Sequence, residues 1–428
     1  MFTGNLMYVM EDRKPRIYFA IPVLDEMPYL FDTLDCIANQ SYKGELTVYV
    51  CVNQPASWWD CEDKAAICLR NSEMIKLLAK GYKELELVVL DKSGRGLAWQ
   101  NKKAGVGMAR KFLLDTILKQ ASEDDVIISM DADTCFEKDF VASVAANYAA
   151  HPKAAAVNIP YYHPLTGEEA QDRAMLHYEL YLRNYMLNLL RIDSPYAFTA
   201  LGSAIAFKAK VGRAVGGFDS HMAGEDFYFL QKIVKYGQLL LYNECKVFPS
   251  PRISHRVPFG TGPAIAENLK QSDSRYPLFH YSCFDDIAQT YQQIDDLFYQ
   301  DIHTPLIDFI NQHFPDEDRW KKLRANYKTL PMFRKAFHHQ IDGLRIFQYI
   351  RYAQQQIHQN DTACLSEYFH RFYPENKDFS FQLLLMDFQR MPIGNMQYLR
   401  DFMATEEDNK RKQRDMQIAL KKKSNFAR

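Results

Sequence analysis

The sequence predicts an α/β protein: a mostly parallel sheet flanked by helices, followed by a C-terminal all-helical domain. Three observations carry this expectation. Short β-rich apolar runs alternate with helix-like stretches of 10–18 residues through the first part of the chain, the pattern of βαβ units. Strand-like runs nearly vanish after about residue 268. Finally, a pair of acids directly follows an apolar strand, and in open α/β sheets ligand-binding groups gather at the carboxyl ends of strands.

The first strand is Arg16–Val23 (RIYFAIPV), an apolar run rich in β-formers, and the second is Glu45–Val52. Leu85–Leu90 and Asp125–Met130 supply the third and fourth. Between them lie helical stretches at Met27–Ala38, Asp63–Lys80 and Val106–Lys119. Ala154–Ile159 is a fifth strand, followed by an aromatic-rich helix, Glu168–Leu190, and a strand at Leu201–Phe207. Amphipathic patterns then follow one another at Phe284–Leu297, Thr304–His313, Arg334–Gln356 and Cys364–Phe372, with Pro315, Pro331, Pro374 and Pro392 as punctuation. The expected division is residues 1–268, a helical domain over 269–408, and a tail over 409–428 with eight basic residues and one acid, Asp415.

Charge excludes one class of partner. Lys and Arg number 52 against 53 Asp and Glu, a formal charge of −1, so no global field draws the chain onto nucleic acid. Eight cysteines without a C-x-x-C pair read as free thiols in a reducing compartment. The N-terminus carries Glu11, Asp12, Arg13 and Lys14 where a signal peptide has its apolar core. No stretch approaches the roughly 20 apolar residues of a membrane span. The expected location is cytoplasmic.

Chemistry-bearing residues cluster at a few points. Asp131-Ala132-Asp133 follows the strand Val126–Met130. Paired carboxylates there suit a hard divalent ion, Mn²⁺ or Mg²⁺, whose remaining ligands a diphosphate supplies; the same tripeptide also serves as a plain polar turn. Gly216-Gly217-Phe218-Asp219 and then Gly224-Glu225-Asp226 precede the helix Phe227–Tyr236. Acids at a helix N-terminus are stabilised by the dipole, or a carboxylate there accepts a proton from an incoming hydroxyl. His255, in Ser254-His255-Arg256, is an ordinary hydrogen-bonded histidine unless the fold returns it to Asp133. The basic loop Lys92–Arg110 is either a solvated loop or a cradle for a pyrophosphate. Its Gly105-Val106-Gly107 lacks the third glycine and the preceding strand of a dinucleotide fingerprint.

Taken together, Ala20-Ile21-Pro22-Val23-Leu24-Asp25-Glu26, Gly107-Met108-Ala109-Arg110, Asp131-Ala132-Asp133, Gly216-Gly217-Phe218-Asp219 and Glu225-Asp226 resemble family 2 glycosyltransferases of the GT-A fold over roughly residues 15–260. Leu24 and Asp25 stand where the family has an aromatic and an asparagine. Asn53 stands where an aspartate commonly ends the second strand to hold uracil. The resemblance implies an inverting transferase using a nucleotide-diphospho-sugar. Pro22, Asp25 and Asn53 would line the nucleoside pocket, with Arg110 beside base or ribose. Asp131 would meet the ribose, and Asp133, with His255, the metal. Asp226 would be the catalytic base, and Glu225 would orient the acceptor.

The processive members' Q-x-x-R-W signature is replaced by Gln231-Lys232-Ile233-Val234-Lys235, which implies one sugar per encounter. The family's common setting implies polysaccharide or glycolipid assembly.

Acceptor residues are expected among Tyr162 and Trp58. The tyrosines of the helix 168–190 (Tyr178, Tyr181, Tyr185) serve equally as core. The basic tail either frays in solvent or touches anionic lipid at the inner face of the plasma membrane. Two rival classes stand beside the transferase: a catalytically silent scaffold on the same fold, and a sugar nucleotidyltransferase. The latter expects a glycine-rich basic signature after the first strand, where this chain reads Pro22–Glu26.

Overall fold

A computed structural model describes residues 14–100, 104–220, 224–252, 276–375 and 386–426, with side chains described to residue 420. The chain divides into two compact units. The first comprises Met1–Ile159, Gly202–Met222 and Asn243–Val247, and the second Pro160–Leu201, Ala223–Tyr242 and Phe248–Arg428.

The first unit opens with β1 (Ile17–Val23), α1 (Tyr29–Ala38), β2 (Leu46–Asn53), α2 (Ala65–Leu78), β3 (Glu86–Lys92), α3 (Val106–Ile117) and β4 (Val126–Ser129). Next come β5 (Thr134–Phe136), α4 (Phe140–Ala150) and β6 (Ala154–Asn158). The chain then leaves for α5 (Glu169–Arg191) of the second unit and re-enters the first with β7 (Ile205–Lys208) and α6 (Ala209–Ala214). Strands of this unit lie in the order β3-β2-β1-β4-β7-β6 within a seven-stranded sheet. β1, β2, β3 and β4 are parallel, while β7 runs antiparallel to both β4 and β6. This is the mostly parallel α/β sheet flanked by helices that the sequence predicts. All seven residues of β1 are buried, which is why it reads as a continuous apolar run rather than an alternating one. Pro22 lies beyond Ala20↔Ser129, the last β1–β4 pair, so its missing N–H breaks no ladder bond to β4.

In the second unit, α7 (Glu225–Tyr236) and β8 (Gln238–Leu240) precede α8 (Ser282–Gln292), α9 (Ile294–Tyr299), α10 (Pro305–His313) and α11 (Arg319–Asn326). Then follow α12 (Leu330–Gln340), α13 (Gly343–Gln354), α14 (Asp361–Phe372) and α15 (Ile393–Phe426). The helix expected over Arg334–Gln356 is thus two helices. Asp342 starts the second by accepting the Arg345 N–H, a side-chain cap that competes with helix continuation. Thr304 and Asn360 cap α10 and α14 in the same way. A core of Leu176, Leu180 and Leu187 from α5 packs with Leu365, Phe369, Met396, Leu399 and Met403 from α14 and α15. Tyr185 meets Phe279 and Phe347 at centroid distances of 6.2 and 5.8 Å, so the aromatic stripe of α5 packs inside the unit. Residue 409 falls within α15, where Arg411 and Asp415 are buried. Among the described residues, no helix is long and apolar enough to cross a membrane.

Candidate functional site

In the first unit, candidate residues gather where β1, β2, β3 and β4 end. Asn53, the last residue of β2, is 3% exposed, and its Nδ2 donates to the Val23 carbonyl at 2.9 Å. That bond fixes the amide, leaving Oδ1 as its acceptor end. Asp25 has a left-handed φ of 58°, a conformation aspartate tolerates better than most residues. Two α2 residues hold it there. Asn71 Oδ1 accepts the Asp25 N–H at 3.0 Å, and Arg70 grips the carboxylate bidentately at 2.6 and 2.8 Å. This pairing raises the guanidinium pKa. Asn71 Nδ2 donates to Gln54 at 2.7 Å, so a polar chain runs from β2 through α2 to Asp25. Sequence reasoning missed Arg70 and Asn71, since their partner lies 45 residues or more away.

At the end of β3, the Asp91 carboxylate accepts the N–H groups of Ser93 and Gly94 at 2.7 and 2.9 Å, fixing the start of the basic loop. Trp59 donates its indole N–H to the Ser93 carbonyl at 2.8 Å, with the Arg95 guanidinium 4.8 Å from its ring centroid. Trp58, the predicted acceptor residue, lies beside it in the 3₁₀ turn Ala56–Asp60, with Lys64 Nζ at 5.4 Å.

Arg110, on α3, is 4% exposed. Its Nη1 donates to Ser129 Oγ at 2.7 Å and the Gly202 carbonyl at 3.0 Å, and its Nη2 to Asp131 Oδ1 at 2.5 Å. A buried guanidinium so engaged orients Asp131 rather than offering a face to a base. Gly202 makes room for it, since a Cβ there would stand 1.9 Å from Nη2. Asp131 and Asp133 are half-buried on either side of buried Ala132. The Thr33 hydroxyl of α1 lies 3.0 and 3.1 Å from the carbonyls of Ala132 and Thr134, holding the turn from behind. Among the described residues, no group of three or more His, Cys, Asp or Glu side chains is arranged to hold a metal. His255, the expected further ligand, lies outside the described residues. The hard carboxylate oxygens of Asp131 and Asp133 still suit an ion completed by a diphosphate.

In the second unit, Gly224 takes a left-handed φ of 78° and opens α7. Glu225 is 3% exposed and Asp226 half-buried. Asp226 Oδ1 accepts the Phe227 N–H at 2.8 Å, so it sits on the positive end of α7, where an anion is favoured. Gln231 Oε1 accepts the Leu344 N–H at 3.0 Å, tying α7 to α13.

Tyr162, the other predicted acceptor residue, is committed to α15. Its hydroxyl donates to Asp401 at 2.9 Å and accepts from Arg400 at 2.6 Å. Burial pushes that hydroxyl up to about 12. Behind it lies a buried ionic network absent from the sequence reading. Glu179 receives Arg183 Nε at 3.0 Å and Arg400 Nη1 at 3.2 Å. Glu407 then receives Arg183 and Arg411 at 3.0 and 2.8 Å. Burial alone would raise the Glu179 pKa, but Arg183, His163 and Arg400 together hold it well below the usual carboxylate range. Asp415 completes the seam, accepting the N–H groups of Leu241 and Tyr242 at 2.8 and 2.9 Å.

Residues 126–288 match the family model described as glycosyl transferase family group 2. That match covers less than half of the chain. The matched segment begins at β4 and includes Asp131, Asp133, Glu225 and Asp226, whereas Pro22, Asp25, Asn53 and Arg110 precede it. No curated protein matches the sequence significantly. Similar solved structures include S. aureus TarS 1-349 in complex with UDP-GlcNAc, at 14% identity and a TM-score of 0.41, covering 81% of this chain and 93% of that one. Another is the mannosyltransferase PcManGT from Pyrobaculum calidifontis in complex with GDP-Man and Mn²⁺, at 15% identity and a TM-score of 0.37, covering 92% and 87%.

Proposed function

We propose that this protein is a non-processive, inverting glycosyltransferase that moves a sugar from a nucleotide-diphospho-sugar to an acceptor hydroxyl in polysaccharide or glycolipid assembly. The observation that carries the reading is the family 2 match over residues 126–288, which contains both pairs of acids in the expected order. Displacement at the anomeric carbon leaves a nucleoside diphosphate with added negative charge. A divalent ion, Mn²⁺ or Mg²⁺, neutralises that charge when bound, and Asp133 is its proposed protein ligand, with His255 as a second. Asp131, oriented by Arg110, hydrogen-bonds the ribose.

Asn53, Asp25 and Pro22 form the nucleoside end. Because the Val23 carbonyl takes the Asn53 donor, the amide oxygen is matched to a base presenting a ring N–H. Uracil, thymine and guanine have one; cytosine and adenine present a ring acceptor instead. Asp226 is the proposed base: it takes the acceptor's proton as oxygen attacks the anomeric carbon from the face opposite the leaving diphosphate, which inverts the centre. Glu225 orients the acceptor. The engagement of the Tyr162 hydroxyl by Asp401 and Arg400 favours Trp58 as the acceptor-side aromatic. The protein works in the cytoplasm, and peripheral contact through the exposed part of the basic C-terminal stretch would bring it to a lipid-linked acceptor.

Thermal shift with UDP, GDP, dTDP, CDP and ADP, each with and without Mn²⁺, tests the reading. Metal-dependent stabilisation by one of the first three is expected. Its absence for every nucleotide would favour a silent scaffold.

A further inference from the structure

Eight cysteines are spread over the chain without a recognisable pattern, yet two thiols 99 positions apart lie within one bracket of hydrogen bonds between α1 and the segment around β5. Cys36 lies on the last turn of α1 and Cys135 in the middle of β5. On one side of Cys36, Thr33 bonds the carbonyls of Ala132 and Thr134. On the other, Gln40 Nε2 donates to the Glu137 carbonyl at 2.9 Å, and its Oε1 accepts the Val141 N–H at 2.8 Å. The helix end is therefore pinned to positions 134 and 137, and Cys135 lies between them. The two thiols face one another inside this bracket.

Both thiols are half-buried, so a small oxidant reaches them. The remaining cysteines lack this combination. Cys51, Cys68, Cys245, Cys283 and Cys364 are buried, and Cys61 is exposed. The Gln354 amide bridges the buried Cys283 and Cys364, at 3.7 and 4.0 Å from the two sulfurs.

We propose that Cys36 and Cys135 form a reactive dithiol that closes to an intramolecular disulfide under a two-electron oxidant such as hydrogen peroxide or an azo compound. With peroxide, one sulfur attacks an oxygen, the O–O bond breaks, and a sulfenic acid and water result. The second sulfur then displaces the hydroxyl, its proton leaves with it as a second water, and the S–S bond forms. Two thiols and one peroxide become one disulfide and two waters. The bond would tie β5 to α1 immediately after Asp133, adding a covalent link to a turn that Thr33 already holds.

The test is limiting hydrogen peroxide or diamide on the full-length protein, then alkylation under denaturing conditions, intact mass and peptide mapping. The expected result is the loss of two hydrogens and of two alkylatable thiols, a Cys36–Cys135 peptide, and full reversal by dithiothreitol. Cys36→Ser and Cys135→Ser should each prevent the two-hydrogen loss. Retention of all eight thiols would overturn the proposal, as would a disulfide mapped to another pair or joining two chains. Sulfinic acid at either residue without a disulfide would do the same. Mapping on the unmodified sequence decides the matter even if a serine variant folds poorly.

Discussion

Arg110 donates three hydrogen bonds from a buried position, to Ser129, Gly202 and Asp131, and this makes Gly202 a sensitive residue. In Gly202→Ala the new Cβ must displace the guanidinium. Overpacking of this kind costs about 1–3 kcal/mol, so a lowered midpoint in urea is expected together with weaker nucleotide-induced stabilisation. Arg110→Lys should weaken nucleotide binding too, because an ammonium cannot reproduce the planar fork. Arg70 acts on Asp25 from a more exposed position, its side chain being 47% accessible. Arg70→Ala should therefore leave stability nearly unchanged while reducing nucleotide affinity, which calorimetric titration would measure. The proposed chemistry separates two acids by readout. Asp133→Ala should abolish transfer and also remove metal-dependent nucleotide binding, whereas Asp226→Asn should abolish transfer and keep that binding.

At the scale of elements, α5 and α15 are joined by charge as well as by leucines and methionines. Glu179, Arg183, Arg400, Glu407 and Arg411 are each no more than 2% exposed. Removing one member of such a network strands its partners, and losses of about 3–5 kcal/mol are typical. Glu179→Ala should fall in that range by denaturant unfolding. The same residue predicts a pH dependence. Its pKa is depressed in the folded state relative to an ordinary value of 4.5. Its contribution is therefore fully present above that value and is lost as pH falls below it toward the lower folded pKa. Glu179→Gln should flatten the decline in stability below pH 4.5, and a wild-type profile no steeper than the variant's would count against this assignment. Truncation after residue 408 removes Arg411 and Asp415, and with them one of the two partners of Glu407 and the acceptor of the Leu241 and Tyr242 N–H groups. That variant should unfold at markedly lower temperature.

Across the whole molecule, legibility in the sequence followed the range of the interaction. β1, β2 and β4 are fully or almost fully buried, so their apolar runs were readable. The turn carrying Asp131 and Asp133 was readable because it directly follows one of them. The break at Asp342-Gly343 was less so, since the apolar spacing of α12 and α13 runs on across it and only the cap distinguishes them. Arg70 with Asp25, Gly202 with Arg110, and Glu179 with Arg400 were not legible at all. Each is an ordinary surface-type or small residue in sequence, and its partner lies 45 to 221 positions away. The division into units follows the same logic: α5 and α7 group with the C-terminal helices, through packing partners far along the chain. The near balance of 52 and 53 charges conceals a buried seam of opposite charges. It also conceals a basic loop and paired acids at the strand ends.

Whether these groups handle a nucleotide-sugar is decided by donor turnover. Release of nucleoside diphosphate should be followed over a panel of UDP-, GDP-, dTDP-, CDP- and ADP-sugars with Mn²⁺ and with Mg²⁺. Metal-dependent release from a uridine, guanosine or thymidine donor, lost in Asp133→Ala, is expected. No release from any donor with either metal, by protein shown to be folded, would contradict it.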